Sequence, residues 1–309
     1  MPEGDAIHRT AARLRVLEGD VLRADSPNPR AALLGIARRI DGRRLERVEA
    51  VGKNILLTFE GGTVVRSHLR MHGRWRVEPA GRPIAGKPWL VLRGTEWQAV
   101  QRRGPVLELG RGRTGRLGPD IMVSPPDLDG MLARFRAADQ SRALGEALLD
   151  QTLAAGIGNM WKAEALYVAR LKPWVLLRDV EDDRLRDVLG AAATLMQAPG
   201  RRAGHRVYRR AGRPCANCGT TIRSWPQGDD ARMAYWCPRL PGRNGAARGV
   251  TRVACLPALD LPISFAPCGD SASVRFSTSG ASSSPARTSL WLSRSMVART
   301  ARRSTSTAR

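Results

Sequence analysis

The sequence predicts an α+β protein of several domains, in which an N-terminal antiparallel β-sandwich flanked by helices precedes a helical domain and a cysteine-bearing β-hairpin. Short alternating apolar runs occupy residues 21–109, helical periodicity occupies residues 128–198, and a pair of cysteines begins the hairpin region at residue 215. A chain of 309 residues is long enough for several small domains.

The first predicted element is an amphipathic helix over residues 5–17, followed by strands. The apolar side chains that share one helix face are Ile7, Ala11, Leu14 and Leu17. The strand-like runs are residues 47–51, 55–59, 63–65 and 89–92. Gly61 and Gly62 separate two of these runs and predict a hairpin turn. Several short strands with few helices are typical of an antiparallel sandwich.

The second half of the sequence changes from strand-like to helical. Residues 110–119 are rich in glycine and arginine, which predicts a linker. Helical periodicity begins at residue 128, and Ser141 is a candidate N-cap. Residues 156–158 contain two glycines that predict a turn between helices, with Asn159 as a candidate cap for the next helix. The N–H groups of such a turn are good donors to phosphate.

Three of the five cysteines follow the pattern of a structural zinc site. Cys215 and Cys218 form a Cys-x-x-Cys knuckle, and Cys237 follows after a hairpin-length spacer, which predicts a zinc ribbon. The ligand expected three residues later is replaced by Leu240, so the fourth ligand is missing. Other candidates for that position are Cys255, Cys268 and His205. The clustering of thiols favours a reducing compartment.

Charge and hydropathy limit the classes of partner. The formal net charge is +23, which indicates a polyanionic partner, most simply nucleic acid. No apolar run is long enough to span a membrane, and the N-terminus has no secretory signal pattern, so we expect a cytoplasmic protein that does not bind membranes. Residues 241–309 contain ten arginines, thirteen serines and two aspartates, without lysine or glutamate. This composition predicts a disordered tail.

The N-terminus and one lysine carry the strongest chemical signals. Pro2 is small enough for Met1 to be removed, which leaves a secondary amine that can form an iminium with an aldehyde-like carbon. Glu3 places a carboxylate beside this amine for proton transfer. The chain has only four lysines, and Lys53 stands after a glycine at the start of an apolar strand. A lysine in such a loop is more commonly a solvated surface charge.

Together, Pro2-Glu3, Val51-Gly52-Lys53-Asn54, the glycine turn and the cysteine pattern resemble the formamidopyrimidine-DNA glycosylase and endonuclease VIII (Fpg/Nei) family over residues 1–239. The start of the chain and the helix ending at Gln151 are similar to the actinobacterial endonuclease VIII branch. The resemblance implies a bifunctional DNA glycosylase and AP lyase of base excision repair. It further implies a monomer that acts on damaged double-stranded DNA, in association with the nucleoid.

The resemblance also implies domain boundaries. These are a catalytic β-sandwich at 1–112, a linker at 113–127, a helix–two-turn–helix domain at 128–204, a zinc-ribbon hairpin at 205–240 that lacks its fourth cysteine, and a tail at 241–309. In this scheme zinc is structural and takes no part in the reaction.

Roles for individual residues follow from the same resemblance. Pro2 is expected to attack C1′ of the damaged nucleotide, Glu3 to activate the sugar and shuttle protons, and Lys53 to contact a phosphate and assist elimination. The implied DNA-binding residues are Asn159, Arg232, Met71, Arg70 and Gln151. Asn159 and Arg232 would hold backbone phosphates. Met71 and Arg70 would fill the gap left by an extruded base, although a buried strand position is an equal alternative for Met71.

The missing thiolate leaves several alternatives open. We expect weaker zinc retention, and we hypothesise that the residues from Leu240 onward are read out of the ancestral frame. Oxidised pyrimidines are the favoured substrates because the short stretch at 200–207 leaves little room for a purine-capping loop. Removal of oxidised purines is the alternative within the enzyme class. A catalytically impaired protein that only binds damaged DNA is the alternative outside it.

Overall fold

The structure is a computed structural model that describes residues 2–103, 106–198 and 204–239. Leu240, Cys255, Cys268 and the predicted tail lie outside the described residues, as do residues 200–203 of the stretch at 200–207.

The first helix confirms the predicted amphipathic segment. Helix α1 (Gly4–Leu14) continues into a 3-10 turn at Arg15–Leu17. Its apolar side chains Ile7, Ala11 and Leu14 are at most 1% exposed and belong to the core of the adjacent sheet. Burial of a large aliphatic side chain contributes about 1.5–3 kcal/mol, so this face fixes the start of the chain against the sheet.

Eight strands form the N-terminal sheet. They are β1 (Val21–Asp25), β2 (Arg43–Val51), β3 (Asn54–Phe59), β4 (Thr63–His68), β5 (Arg74–Pro79), β6 (Leu90–Arg93), β7 (Trp97–Arg102) and β8 (Val106–Leu109). The short helices α2 (Pro29–Ala32) and α3 (Ile36–Ile40) lie between β1 and β2. The strand order is β5-β7-β6-β1-β2-β3-β4-β8, and every pairing is antiparallel, as predicted.

The sheet has two four-stranded halves that share one core. The halves are joined by β1 and β2, whose paired residues are Val21 with Arg44 and Leu22 with Arg43. Buried side chains of β6 and of β3 lie in the same apolar cluster as α1. The predicted hairpin turn between β3 and β4 is confirmed, since Gly61 and Gly62 have φ values of 76° and 71°, which glycine adopts at no steric cost.

A helical region follows residue 127, as the periodicity predicts. Its helices are α4 (Leu128–Ala137), α5 (Leu144–Ala147), α6 (Asn159–Val168) and α7 (Asp182–Gln197). Short 3-10 turns occur at Thr114–Arg116 before these helices and at Leu177–Asp179 between α6 and α7. The helices enclose a second apolar core, separate from that of the sheet.

Two predicted helix caps are wrong. The N-cap of α5 is Ala143, while the Ser141 hydroxyl donates to Asp139 at 2.7 Å. The N-cap of α6 is Gly158, and Asn159 is the first residue inside the helix. In α6 the N–H groups that a cap would satisfy donate instead to the carboxylate of Glu3, which is remote in sequence.

The last described element is a β-hairpin of strands β9 (Arg223–Gln227) and β10 (Arg232–Trp236), which pair antiparallel. Strand β10 packs against α6, and Cys215, Cys218 and Cys237 lie in a small apolar cluster between this hairpin and α6. Within the described part of the chain, no helix is long and apolar enough to cross a membrane.

Candidate active site

The carboxylate of Glu3 lies at the N-terminus of α6. Its Oε2 accepts hydrogen bonds from the backbone N–H groups of Gly158 and Trp161, both at 3.1 Å, and its Oε1 accepts one from Met160 at 2.8 Å. Glu3 is only 3% exposed. Because a helix N-terminus has unpaired N–H groups and the positive end of the helix dipole, it is a favourable place for a buried carboxylate.

Two glycines permit this close approach. A Cβ at Gly158 would lie 2.2 Å from Cδ of Glu3, and a Cβ at Gly4 would lie 2.9 Å from Cα of Gly156. The N–H of Gly4 also donates to the carbonyl of Gly156 at 2.9 Å. The glycine turn recognised in the sequence is therefore the surface on which the N-terminus rests. Pro2 is partly buried and lies immediately before Glu3, whose carboxylate is held at this turn.

Lys53 reaches the same place from the sheet. It follows Gly52, which has a φ of 58° in the turn between β2 and β3. A Cβ at Gly52 would lie 3.1 Å from Cβ of Ala155, so this turn packs directly against the segment before α6. The chain start, the β2–β3 turn and the glycine turn thus meet at one site.

The charges at the site influence one another. Burial raises the pKa of Glu3 above its ordinary value, while the Met160 N–H and the charge on Lys53 act in the opposite direction. Burial lowers the pKa of Lys53 to about 8, with Glu3 opposing this change and Arg232 adding to it. A lysine with a pKa near 8 can exchange a proton near neutral pH.

Asn159 and Gln151 both contact backbone groups. The Asn159 side chain donates to the carbonyl of Met233 in β10 at 2.9 Å, which ties α6 to the hairpin. Gln151 donates to the carbonyls of Leu149 and Ile157 and accepts from the N–H of Gly156 at 3.0 Å. The three hydrogen bonds of Gln151 hold the shape of the glycine turn. DNA contacts by these two residues stay predictions.

Comparison with known proteins matches both halves of this arrangement. The family model "Formamidopyrimidine-DNA glycosylase N-terminal domain" matches residues 1–105, and "Formamidopyrimidine-DNA glycosylase H2TH domain" matches residues 117–207. The chain is 40% identical over 261 residues to "Probable endonuclease 8 2" of Streptomyces coelicolor, which covers 77% of this chain and 93% of that protein.

The chain belongs to the Fpg/Nei family. Its similarity to relatives from actinobacteria places it in the endonuclease VIII-like branch. "DNA-(apurinic or apyrimidinic site) lyase Nei2" of Mycolicibacterium smegmatis is 34% identical over 258 residues, covering 77% of this chain and 98% of that protein. A solved complex of Lactococcus lactis Fpg with "an oxidized pyrimidine containing DNA" has a TM-score of 0.67 at 20% identity and covers 78% of this chain and all of that one, which supports the common fold.

In this Fpg/Nei chain, Met71 and Arg70 lie in the connection between β4 and β5. Met71 is 52% exposed, so the alternative of a buried strand residue is wrong. Arg70 has a φ of 48°, and its N–H donates to Nδ1 of His68 at 3.2 Å. Burial, reinforced by Arg66 and Arg70, lowers the pKa of His68 to about 4, so its neutral ring can accept this hydrogen bond at neutral pH.

Arg232 begins β10 at the end of the hairpin turn. Its side chain is 44% exposed and lies 3.6 Å from Asp230, a distance typical of a weak surface ion pair. Arg232 is therefore accessible to an anionic ligand, and it lies close enough to Lys53 to affect the pKa of that lysine.

The three predicted thiol ligands come together. The sulfur atoms of Cys215, Cys218 and Cys237 lie within 4.8 Å of one another, and the Cys218 and Cys237 sulfurs are 3.4 Å apart. Burial raises the pKa of Cys215, but hydrogen bonds from Tyr167 and from neighbouring backbone groups outweigh burial and lower the pKa to about 7. These sulfurs fit three positions of a tetrahedral zinc site. His205 is outside this cluster and instead packs edge-on against the Tyr208 ring.

Sequence reasoning missed two residues near the site. Lys162 in α6 is 1% exposed, and its Nζ has no hydrogen-bond partner among the described residues. Asp120 follows the glycine- and arginine-rich stretch at 110–119 and accepts hydrogen bonds from both the β2–β3 turn and α1. The scarcity of lysine could have drawn attention to Lys162, but Asp120 has no comparable signal in the sequence.

Proposed function

We propose that this enzyme, a DNA glycosylase with AP lyase activity by family, acts as a monomer at the nucleoid and removes oxidised pyrimidines from double-stranded DNA through a Schiff base at Pro2. The observation that carries this proposal is the placement of Glu3. Its carboxylate is fixed by three backbone N–H groups, immediately after Pro2 and within electrostatic range of Lys53. The nucleophile, the acid and the cation therefore share one site.

The proposed reaction begins at C1′ of the damaged nucleotide. The amine of Pro2, freed by removal of Met1, forms a bond to C1′ as the bond from C1′ to the base breaks and the base leaves with a proton. Glu3 donates a proton to the ring oxygen, and the ring opens to an iminium between Pro2 and C1′. The raised pKa of Glu3 suits this role, because it favours the protonated carboxyl.

Strand cleavage follows from the iminium. Its positive charge acidifies the C2′ hydrogens, and a base removes one proton from C2′ as the C3′–O bond breaks and the 3′ phosphate leaves. Loss of a further proton and of the 5′ phosphate completes δ-elimination. Water then adds to C1′ of the iminium, and cleavage of the C1′–N bond frees Pro2. Lys53, with a pKa of about 8, is placed to bind a phosphate near the lesion and to assist these proton transfers.

Separate elements would bind the DNA phosphates and fill the space left by the extruded base. Asn159 on α6 and Arg232 on β10 are joined through the hairpin and would hold phosphates on either side of the extruded nucleotide. Extrusion costs a few kcal/mol, which these contacts and the high positive charge of the chain offset. The exposed Met71 would enter the gap in the stack.

Zinc would be held by Cys215, Cys218 and Cys237, and it would stabilise the hairpin without taking part in the reaction. The alternative of a catalytically impaired DNA-binding protein requires loss of the hairpin. Pro2, Glu3 and Lys53 lie outside the hairpin, so loss of the hairpin would not remove them.

Borohydride trapping tests the proposal. The protein is incubated with duplex DNA that contains an abasic site or an oxidised base, and reduction should produce a covalent adduct. Pro2→Gly or an N-terminal tag should abolish the adduct, while Lys87→Met, at an exposed lysine, should retain it. Binding of the DNA with no adduct would support the DNA-binding alternative. Retention of Met1 in protein that cleaves lesion DNA would refute the proposal.

The lesion class needs a separate measurement. A "Formamidopyrimidine-DNA glycosylase" of Thermus thermophilus is 33% identical over 273 residues, which keeps oxidised purines as a second candidate. Single-turnover incision of matched duplexes bearing an oxidised pyrimidine or an oxidised purine distinguishes the two. Faster incision at the purine would overturn the pyrimidine assignment without affecting the Schiff-base mechanism.

A further inference from the structure

We infer that Asp120 is a positioning residue that holds the Lys53 turn in its catalytic place. Its Oδ2 accepts hydrogen bonds from the N–H of Gly52 at 2.7 Å and from Nε2 of His8 at 2.9 Å. Its Oδ1 accepts one from the N–H of Met122 at 2.9 Å. One carboxylate thus joins the β2–β3 turn, α1 and its own segment.

The backbone around Asp120 is fixed independently. The N–H of Ile121 donates to the carbonyl of Ala155 at 3.0 Å, and the N–H of Ala155 donates to the carbonyl of Pro119 at 3.0 Å. This pairing attaches the Asp120 segment to the glycine turn that receives Glu3. These two backbone hydrogen bonds hold the Asp120 segment against the turn before α6. The side chain of Asp120 therefore fixes Gly52 relative to that turn.

The pairing of Val51 with Asn54 closes this turn, and the hydrogen bond from Gly52 to Asp120 attaches the closed turn to the segment that precedes α4. Gly52 has a φ of 58° and no side chain that could anchor the turn. Its N–H precedes Lys53 by a single residue, so a shift of the turn moves the Lys53 amine relative to Glu3. The carboxylate of Asp120 is 10% exposed, and hydrogen bonds to a charged acceptor in such a position are strong.

The effect on catalysis rests on the proposed role of Lys53. A displacement of a catalytic group by about 1 Å can reduce the rate by about 100-fold. Loss of Asp120 should therefore slow strand cleavage much more than it weakens DNA binding, because Lys53 would be one of several phosphate contacts and Asp120 itself would make none.

Two variants test the inference in the full chain. Asp120→Ala removes both acceptor oxygens and with them all three hydrogen bonds, while Asp120→Asn keeps a carbonyl oxygen for the N–H of Gly52. The matched control is Asp41→Ala, because Asp41 also accepts from a backbone N–H, that of Ala24 at 2.8 Å, but it precedes the start of β2, at the opposite end of that strand from the β2–β3 turn. Thermal melting of each variant establishes that it folds.

The first readout is the reactivity of Lys53 itself. The rate of acylation of Lys53 by an amine-reactive ester is measured by peptide mass spectrometry, with the exposed Lys87 as the internal reference. In Asp120→Ala the ratio of the Lys53 to the Lys87 acylation rate should rise several-fold, because the β2–β3 turn is released. In Asp120→Asn this ratio should lie between those of the wild type and Asp120→Ala. This readout requires no DNA, so it tests the inference even if the Schiff-base proposal fails.

The second readout is single-turnover cleavage of abasic DNA. Asp120→Ala should cleave about 10- to 100-fold more slowly, with the dissociation constant changed by less than about threefold. Asp120→Asn should recover part of the rate. An unchanged Lys53 reactivity in both variants, or an equal loss of cleavage in Asp41→Ala, would overturn the inference. If Asp120→Ala does not fold, Asp120→Asn alone decides by the same criteria.

Discussion

Replacement of the buried Lys162 by methionine should stabilise this protein at neutral pH. Burial lowers the pKa of Lys162 from 10.5 to about 8, with Glu146 and Glu3 opposing the change and Arg232 adding to it. At about 1.4 kcal/mol per pKa unit, the buried charge costs about 3 kcal/mol of folding free energy at pH 7. Methionine has a similar length and no charge, so Lys162→Met should gain up to about 3 kcal/mol.

The pH dependence of this gain has a definite sign. Because the pKa of Lys162 is lower in the folded state than in the unfolded state, its destabilising effect is complete below the folded pKa of about 8. The effect then decreases as the pH rises from about 8 to 10.5, because the folded protein binds fewer protons than the unfolded chain. The advantage of Lys162→Met should therefore shrink over this range.

Urea unfolding at neutral pH and at about pH 9.5 measures both effects. Lys87→Met is the matched control, because Lys87 is exposed and its replacement should change stability by less than about 0.5 kcal/mol. Comparison with the wild type at each pH cancels the titration of Lys53. A Lys162→Met variant less stable than wild type at neutral pH would show that the ammonium has a stabilising partner. A gain in the free energy of unfolding that did not change with pH would show that it comes from packing and not from removal of the buried charge.

Three other expectations are open to direct measurement. Glu3→Gln should reduce adduct formation with abasic DNA by about 100-fold or more, since an amide cannot transfer the proton, and borohydride trapping measures this change. The same variant should lower the free energy of unfolding by about 1–3 kcal/mol, because the NH2 of glutamine faces N–H donors, and urea unfolding measures this change. Zinc should leave the protein readily on addition of a chelator, because only three thiolates are available among the described residues; metal analysis showing one zinc per chain retained through this treatment would contradict this. Met71→Ala should leave the melting temperature unchanged, since this side chain is 52% exposed, yet weaken binding to lesion DNA more than to undamaged duplex in a filter-binding assay.

Much of the site was recognisable in the sequence because its residues have unusual local patterns. Pro2 and Glu3 stand at the chain start, Lys53 follows a glycine in a chain with four lysines, and the cysteines have ligand spacing. Periodicity predicts the first helix over residues 5–17, where the structure has a helix at 4–14 and a 3-10 turn to residue 17. Turn chemistry predicts the hairpin turn at Gly61, and both features depend on neighbouring residues. Alternation and helical periodicity also predicted the antiparallel sheet and the helical region.

Contacts between distant segments could not be predicted in this way. The sequence pattern indicates Asn159 as the cap of α6, but the capping hydrogen bonds are accepted by Glu3, which lies 155 residues before Gly158 along the chain. Asp120 has no local motif, and its importance comes from donors in α1 and in the β2–β3 turn. Lys162 was visible as a rare lysine, but its burial depends on how α6 packs.

The sequence by itself determined which chemical groups this protein has, how its local elements form and which family it belongs to. Only the tertiary structure decided which of these groups meet, and at what pKa. The reason is physical: helix and turn formation depend on residues a few positions apart. The proton affinity of Glu3, Lys53 or Lys162 depends instead on the loss of water and on charges brought from remote parts of the chain.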